Sequence, residues 1–204
     1  MVVALIDTGC SNLFSVQAAL DRLGARHVLA KTPGEGAEAD RLILPGVGAA
    51  GPAMERLRAS GWADALQTEK RPLLGICLGM QLLFDRSEEG DVATLGLIPG
   101  AVRRLPRPEG GVWPHMGWSR LKLERKSPLT ANLGEGAYAY FVHGYAADPG
   151  AATIASAEHG RTFSAIVQHE NVFGCQFHPE RSVVAGSTIL CNYIELSDAA
   201  LSRN

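Results

Sequence analysis

Residues 73–84, LLGICLGMQLLF, set one cysteine, Cys77, between Gly75 and Gly79, where an apolar run of strand character passes into one of helical character. A G-x-C-x-G bend lifts its central side chain clear of a sheet, and the flanking glycines are needed because a Cβ there would meet neighbouring backbone. The helix expected over LGMQLLF directs its positive end at the sulfur and favours thiolate over thiol. Cys77 is therefore expected to be a nucleophile. The other three cysteines suit structural places: Cys175 within a strand, Cys191 on a closing helix, Cys10 in a loop without a basic neighbour. No C-x-x-C pair indicates a disulfide framework or a zinc site, and no cofactor is called for.

A cysteine nucleophile needs a base that takes its proton and later returns it to the leaving group. In CQFHPERS, His178 ends an alternating strand and Glu180 follows two positions on. Two steps along an extended chain return to the same side, so Glu180 is expected to hold the imidazole by its far nitrogen, with Pro179 limiting the drift between them. Cys77, His178 and Glu180 would form a triad whose members are distant in sequence, so only the fold can bring them together. Acyl transfer also develops negative charge on oxygen, and glycine-flanked backbone N–H groups can be aimed at it. Val47 and Gly48 of PGVG, with the N–H of Leu78, are candidates.

The run from Gly46 to Gly51 is formally G-x-G-x-x-G after a strand and raises a rival, a nicotinamide-dependent oxidoreductase. That fingerprint calls for an acidic residue about 20 positions on, at the end of the next strand, and lies in the first strand–helix unit. Here the next strand ends in Cys77 and the loop lies in a later unit.

Elements able to position these groups are legible. VVALID reads as a buried strand and NLFSVQAALDRLG as a helix closed by Gly24; HVLA, RLILPG and PLLGI read as strands, with helix after Gly51. Strand–helix alternation over residues 1–84 predicts a parallel sheet covered on both faces. From about residue 96, GAVRRL, AYAYFVHGY, TFSAIVQ and VFGCQF suggest antiparallel hairpins with a turn at Glu170-Asn171, and RLPRPEGG is the expected mobile loop. GSTILCNYIELSDAAL closes the chain as an amphipathic helix. The expectation is one α/β domain over residues 1–204: three layers, with a mixed, largely parallel central sheet flanked by helices.

A formal charge of −2 gives no push toward nucleic acid or an anionic membrane. The amino terminus has no basic leader, and no apolar run has the length of a membrane span. A cytoplasmic enzyme with a small-molecule substrate and a protein partner is expected.

Taken together, PGVG, GICLGMQLLF, PHMGW, YFVHGY and CQFHPERS resemble, in order and spacing, the class I glutamine amidotransferases, over essentially the whole chain. Within that family the resemblance is to the glutaminases that serve histidine biosynthesis, with those for anthranilate or pyridoxal phosphate as the alternative. It implies a flavodoxin-like fold. It implies that Cys77 attacks the side-chain amide of L-glutamine and that His178, oriented by Glu180, protonates the departing ammonia and then activates water. Gln81 and Glu89 should hold the amino-acid end of the substrate, and the backbone at Gly144 and Tyr145 its carboxylate. A cyclase subunit with a (βα)8 barrel is the implied partner, met through Asn12, Trp118 and Arg181. The glycines on either side of Val47 suggest, independently, a PGVG peptide that turns its N–H toward the substrate only on docking. The chain departs from the family pattern at Thr8, Cys10 and Ser11, at Arg181 in place of lysine, and at Gly144 in place of serine or threonine.

Overall fold

The computed structural model of the chain describes residues 1–9 and 12–197. Its first part runs β1 (Val2–Ile6), α1 (Leu13–Arg22), β2 (Arg26–Ala30), β3 (Arg41–Gly46), α2 (Ala50–Ala59), α3 (Trp62–Gln67), β4 (Leu73–Cys77) and α4 (Leu78–Gln81). There follow β5 (Phe84–Ser87), β6 (Val92–Ala93), β7 (Ile98–Arg104), β8 (His115–Arg120) and β9 (Lys122–Leu123). The chain then makes β10 (Tyr138–His143), β11 (Tyr145–Ala147), β12 (Thr153–His159), β13 (Arg161–His169), β14 (Val172–Cys175), a 3-10 turn Pro179–Arg181 and α5 (Val183–Ile194).

The main sheet has the order β2-β1-β3-β4-β14-β13-β12-β9. Its first five strands are parallel and the rest antiparallel. The alternating pattern of β1 explains the two-sided burial: Val3 and Leu5 join α1 and α5 in one core, while Ala4 and Ile6 join α2 and α3 in the other. Strands buried on both faces read as continuous apolar runs, which is why VVALID and RLILPG were legible as strands. Two small sheets, β10-β8 and β11-β7-β5-β6, stand beyond the main one. Among the described residues no helix is long and apolar enough to cross a membrane.

Several expectations need correction. The helix over 78–84 stops at Gln81, and Phe84 opens β5, whose partner across the small sheet is Ile98. The run LGMQLLF carries no period that separates helix from strand, so tertiary pairing decides. One helical turn also cannot supply the extended dipole expected at the sulfur. The later strands are not all antiparallel hairpins, since β14 runs parallel to β4 and β7 parallel to β5. The β13–β14 turn does fall at Glu170-Asn171, with Glu170 at φ 50. RLPRPEGG begins at the end of β7 and fills most of the connection to β8. The closing helix starts at Val183, earlier than expected, and ends at Ile194, with Glu195 as its cap, short of the expected run to Leu201; residues 198–201 lie outside the described residues, as do Cys10 and Ser11.

The parallel half of the sheet explains where a site can form. Strands β3, β4 and β14 are neighbours, with Gly46 opposite Cys77 and Cys175 opposite Ile76, so their carboxyl ends open at one edge. Ligands of open α/β sheets bind at such an edge. The bend after β4 is pressed onto β3 and β4: a Cβ on Gly79 would lie 1.8 Å from the Leu44 carbonyl oxygen, and one on Gly75 would lie 2.7 Å from the Gly79 carbonyl oxygen. Gly79→Ala is therefore expected to destabilise the fold by about 3 kcal/mol or more, because backbone must move to admit the methyl. Gly150→Ala, where nothing lies within 4 Å, serves as the control and should stay within about 0.5 kcal/mol. Urea midpoints of the two variants check this.

Candidate active site

The bend holds Cys77 at φ 54 and ψ −111, a conformation that residues with a Cβ rarely adopt. Its sulfur enters a cavity of about 200 Å³, small enough for a single amino acid. Larger grooves exist, one of about 570 Å³ along Arg120, Lys122 and Glu158, but no cysteine or histidine lines that one. Val47, Gly48, Leu78, Gln81, Glu89, Gly144, Tyr145 and His178 line the same small cavity as Cys77. Sequence-distant segments thus converge there.

His178 follows β14 and is fixed by its own backbone: its N–H donates to the Tyr140 carbonyl (3.0 Å) and its carbonyl accepts from the buried Ser182 hydroxyl (2.7 Å). The Nδ1 atom donates to Glu180 Oε1 at 2.8 Å, which leaves Nε2 for Cys77. The two-residue spacing works differently from the expectation. His178 is extended, but Pro179–Arg181 form a 3-10 turn, and the turn rather than an extended strand curls Glu180 back under the ring. Glu180 lies behind His178, outside the cavity lining, with a side chain 3% exposed; its Oε2 has no donor among the described residues.

Burial alone would discourage the imidazolium, but hydrogen bonds and charge from Cys77 and Glu180 outweigh it and raise the His178 pKa to about 10. Burial pushes the neighbouring thiol Cys175 far up, so it stays protonated and inert. Glu89 is raised by burial and held against that by the N–H of Ala50, whose donor it accepts at 3.0 Å. Since α2 has no side-chain cap of its own, this carboxylate caps it from a distance and ties the cavity wall to the loop after β3.

Gln81 donates through Nε2 to the Tyr145 carbonyl at 2.8 Å. Tyr145 O also accepts from His143 Nδ1 at 2.8 Å, so the 144–145 backbone is pinned from two sides. At Gly144 a Cβ would lie 2.6 Å from the Trp113 ring, whose Nε1 donates to the Gly144 carbonyl at 3.3 Å. The glycine and the tryptophan are a matched pair, which accounts for the departure at this position. In the PGVG loop, Gly46 closes against the Gly79 N–H, where a Cβ would come within 2.9 Å, and so packs the bend rather than a dinucleotide.

Trp118 is 51% exposed and stacks edge-on to Tyr140, over whose ring the Arg181 guanidinium lies at 4.8 Å. Asn12 is exposed and caps α1, its side chain accepting from the Ser15 N–H at 3.4 Å. Two polar side chains to which the motifs assigned no role also belong here: His143, of YFVHGY and in the cavity lining, and Gln176, of CQFHPERS and fully buried between Cys175 and Phe177. A polar residue inside an apolar run is the one signal that marks them. Among the described residues no cluster of three or more His, Cys, Asp or Glu is placed to hold a metal ion.

A bent-strand cysteine facing an imidazolium that a carboxylate orients is a constellation for acyl transfer. The family model described as Glutamine amidotransferase class-I matches residues 4–194. The chain belongs to this family. The amidotransferase is 54% identical over 195 residues to a protein of Xanthomonas axonopodis pv. citri named imidazole glycerol phosphate synthase subunit HisH, covering 96% of this chain and 98% of that one. It is 55% identical over 200 residues to the protein of the same name from Xylella fastidiosa (strain Temecula1), covering 97% and 98%. Among solved structures it shares its fold with one described as a glutamine amidotransferase (TM-score 0.74, 20% identity, 96% and 98% covered). Another is PurLQS from Thermotoga maritima (TM-score 0.71, 21% identity, 95% and 97% covered).

The hydrogen-bonded carboxylate has a spectroscopic signature. In the unsubstituted amidotransferase the His178 ring should stay protonated through neutral pH and lose its proton only as pH rises toward about 10. Glu180→Gln removes a charge and weakens a hydrogen bond that raise this value, so the NMR midpoint of the His178 ring should fall. An unchanged midpoint would show that Glu180 does not set it.

Proposed function

We propose that the chain is the cytoplasmic glutaminase subunit of an imidazole glycerol phosphate synthase of histidine biosynthesis, acting through residues 1–204 as one amidotransferase domain. The observation that carries this reading is the chain of contacts from Cys77 through His178 to Glu180, with Cys77 and His178 lining an amino-acid-sized cavity. The near-full-length likeness to proteins named as HisH subunits supports the pathway.

The reaction follows from the chemistry of the groups. The proton of the Cys77 thiol rests on His178 Nε2, and the sulfur freed of it attacks the side-chain amide carbon of glutamine. The N–H groups of Leu78 and of the 47–48 segment are the donors for the oxyanion that forms. Collapse of that intermediate breaks the C–N bond, and His178 gives its proton to the leaving nitrogen, releasing ammonia and a thioester. His178 then takes a proton from water, hydroxide adds to the thioester, and glutamate leaves with the thiolate restored beside the imidazolium. Gln81 and Glu89 hold the amino end of the substrate, Glu89 by its charge, and the Gly144–Tyr145 backbone holds the carboxylate.

Ammonia released to bulk water becomes ammonium and is no nucleophile, so a partner must receive it directly. In this reading the partner is a cyclase subunit with a (βα)8 barrel, which combines ammonia with phosphoribulosyl formimino aminoimidazole carboxamide ribonucleotide. Its products are imidazole glycerol phosphate and aminoimidazole carboxamide ribonucleotide. An exposed apolar face of Trp118, Tyr138, Val183 and Val184 supports a docking surface, with Arg181 beside it. Asn12, Trp118 and Arg181 are the residues assigned to it, and Arg181 offers a planar fork where a lysine would offer a point charge.

Docking also has a lever on the oxyanion donors. Gly46 is wedged against the bend, whereas Gly48 sits at φ +92 with nothing within 4 Å of a Cβ position, so the Val47–Gly48 peptide is the one free to turn. Glutamine turnover should therefore rise by about a hundredfold or more when the cyclase and its ligand are added, the worth of one oriented oxyanion donor. Full activity of the lone subunit would exclude this control. Cys77→Ala should abolish glutamine hydrolysis in the complex while cyclisation with added ammonium salt persists; residual hydrolysis at the original rate would remove Cys77 from the mechanism.

A further inference from the structure

We infer that Gln176 is a catalytic residue whose side-chain N–H donates to the Cys77 sulfur and favours the anionic sulfur that attacks. The inference deepens the glutaminase reading and rests on Cys77 being its nucleophile.

The direction of this bond follows from groups whose roles are chemically unambiguous. The backbone carbonyl of Tyr145 can only accept, so the Gln81 atom 2.8 Å from it is the amide nitrogen. The same nitrogen lies 3.1 Å from the Gln176 side chain, and its second N–H requires an acceptor there, which is Oε1 of Gln176. Gln176 Nε2 is then turned toward Cys77 Sγ at 3.9 Å. Reversing the Gln176 amide would set two NH2 groups against each other and an oxygen against the sulfur. Gln176 has no exposed surface, so water cannot substitute for these partners, and a buried amide without them would be costly.

The sulfur has another neighbour, the Val142 carbonyl at 3.8 Å, to which the neutral thiol donates. Once the proton has moved to His178, that carbonyl offers the anion nothing, whereas the Gln176 N–H becomes a charge-assisted donor of about twice the strength. The amide thus favours the state with the proton on His178. It also links the nucleophile to the substrate wall: with both N–H groups of Gln81 engaged, only Oε1 of Gln81 is left for a ligand, which then selects a donor such as an ammonium.

The test compares Gln176→Leu, which removes the donor, with Gln176→Glu, which keeps the shape but replaces the NH2 by oxygen. Alkylation of Cys77 by iodoacetamide, followed by mass spectrometry of its peptide, reads the anionic sulfur without any need for glutamine turnover. Both folded variants should alkylate about tenfold more slowly at pH 7 than the unsubstituted chain, with the midpoint of the rate profile moved to higher pH, and kcat in the cyclase complex should fall by a similar factor. Alkylation within twofold of the unsubstituted rate in both would overturn the inference. Should neither variant fold, the side-chain NH2 resonances of Gln176 in the otherwise intact chain decide: Cys77→Ala should move them, and unmoved resonances would also overturn it. Glutamine hydrolysis that survives Cys77→Ala would instead overturn the glutaminase reading, and this inference with it, in a measurement separate from the Gln176 variants.

Discussion

The contact on which the rest of the molecule turns is the seating of the bend after β4 upon β3, where the Gly79 backbone lies against the Leu44 carbonyl with no room for a methyl group. Gly46, Gly75 and Gly79 each omit a Cβ at this junction, and the joint closure forces Cys77 to φ 54. Backbone in such a conformation persists only when its surroundings overdetermine it. Here those surroundings are three neighbouring parallel strands, and their open carboxyl ends bring the sulfur, the PGVG loop and the segment after β14 to one edge.

Two buried histidines and the partly buried His178 near this edge show how partners, rather than burial alone, decide charge. His143 and His115 are lowered to about 3 and about 4 by burial, His143 hydrogen-bonded to His115 at 3.2 Å and, among the described residues, with no carboxylate against either ring. His178 is partly buried, but it faces Glu180 on one nitrogen and Cys77 on the other, and it is raised. The same side chain therefore serves as a neutral scaffold at one position and as a cation at another. The scaffold role has a use: His143 holds Tyr145 O, which Gln81 holds from the other side.

Legibility varied with the range of the interactions. The cysteine between glycines was readable because its demand is local: a sharp bend needs missing Cβ atoms close to it in sequence. The pairing of His178 with Glu180 was readable as a spacing but not as a geometry, since a 3-10 turn after Pro179 replaced the expected extended path. The helix after Cys77 was overread because Leu82, Leu83 and Phe84 suit either element, and β5 claims the last of them through Ile98. Glu89 as the distant cap of α2, and Trp113 as the filler beside Gly144, had no sequence signal, because each is a contact between segments far apart.

By itself the sequence determined the strand–helix alternation of the first half, the two-sided burial of its strands and the identity of the bend, because apolar periodicity and missing Cβ atoms act on neighbours along the chain. Only the tertiary structure brought the imidazole of His178 to the sulfur, and it alone decided which amide points its N–H at it and how long α4 could be. Those outcomes depend on burial and on hydrogen bonds between groups a hundred residues apart, and such partners exist only once the parallel strands have been laid side by side.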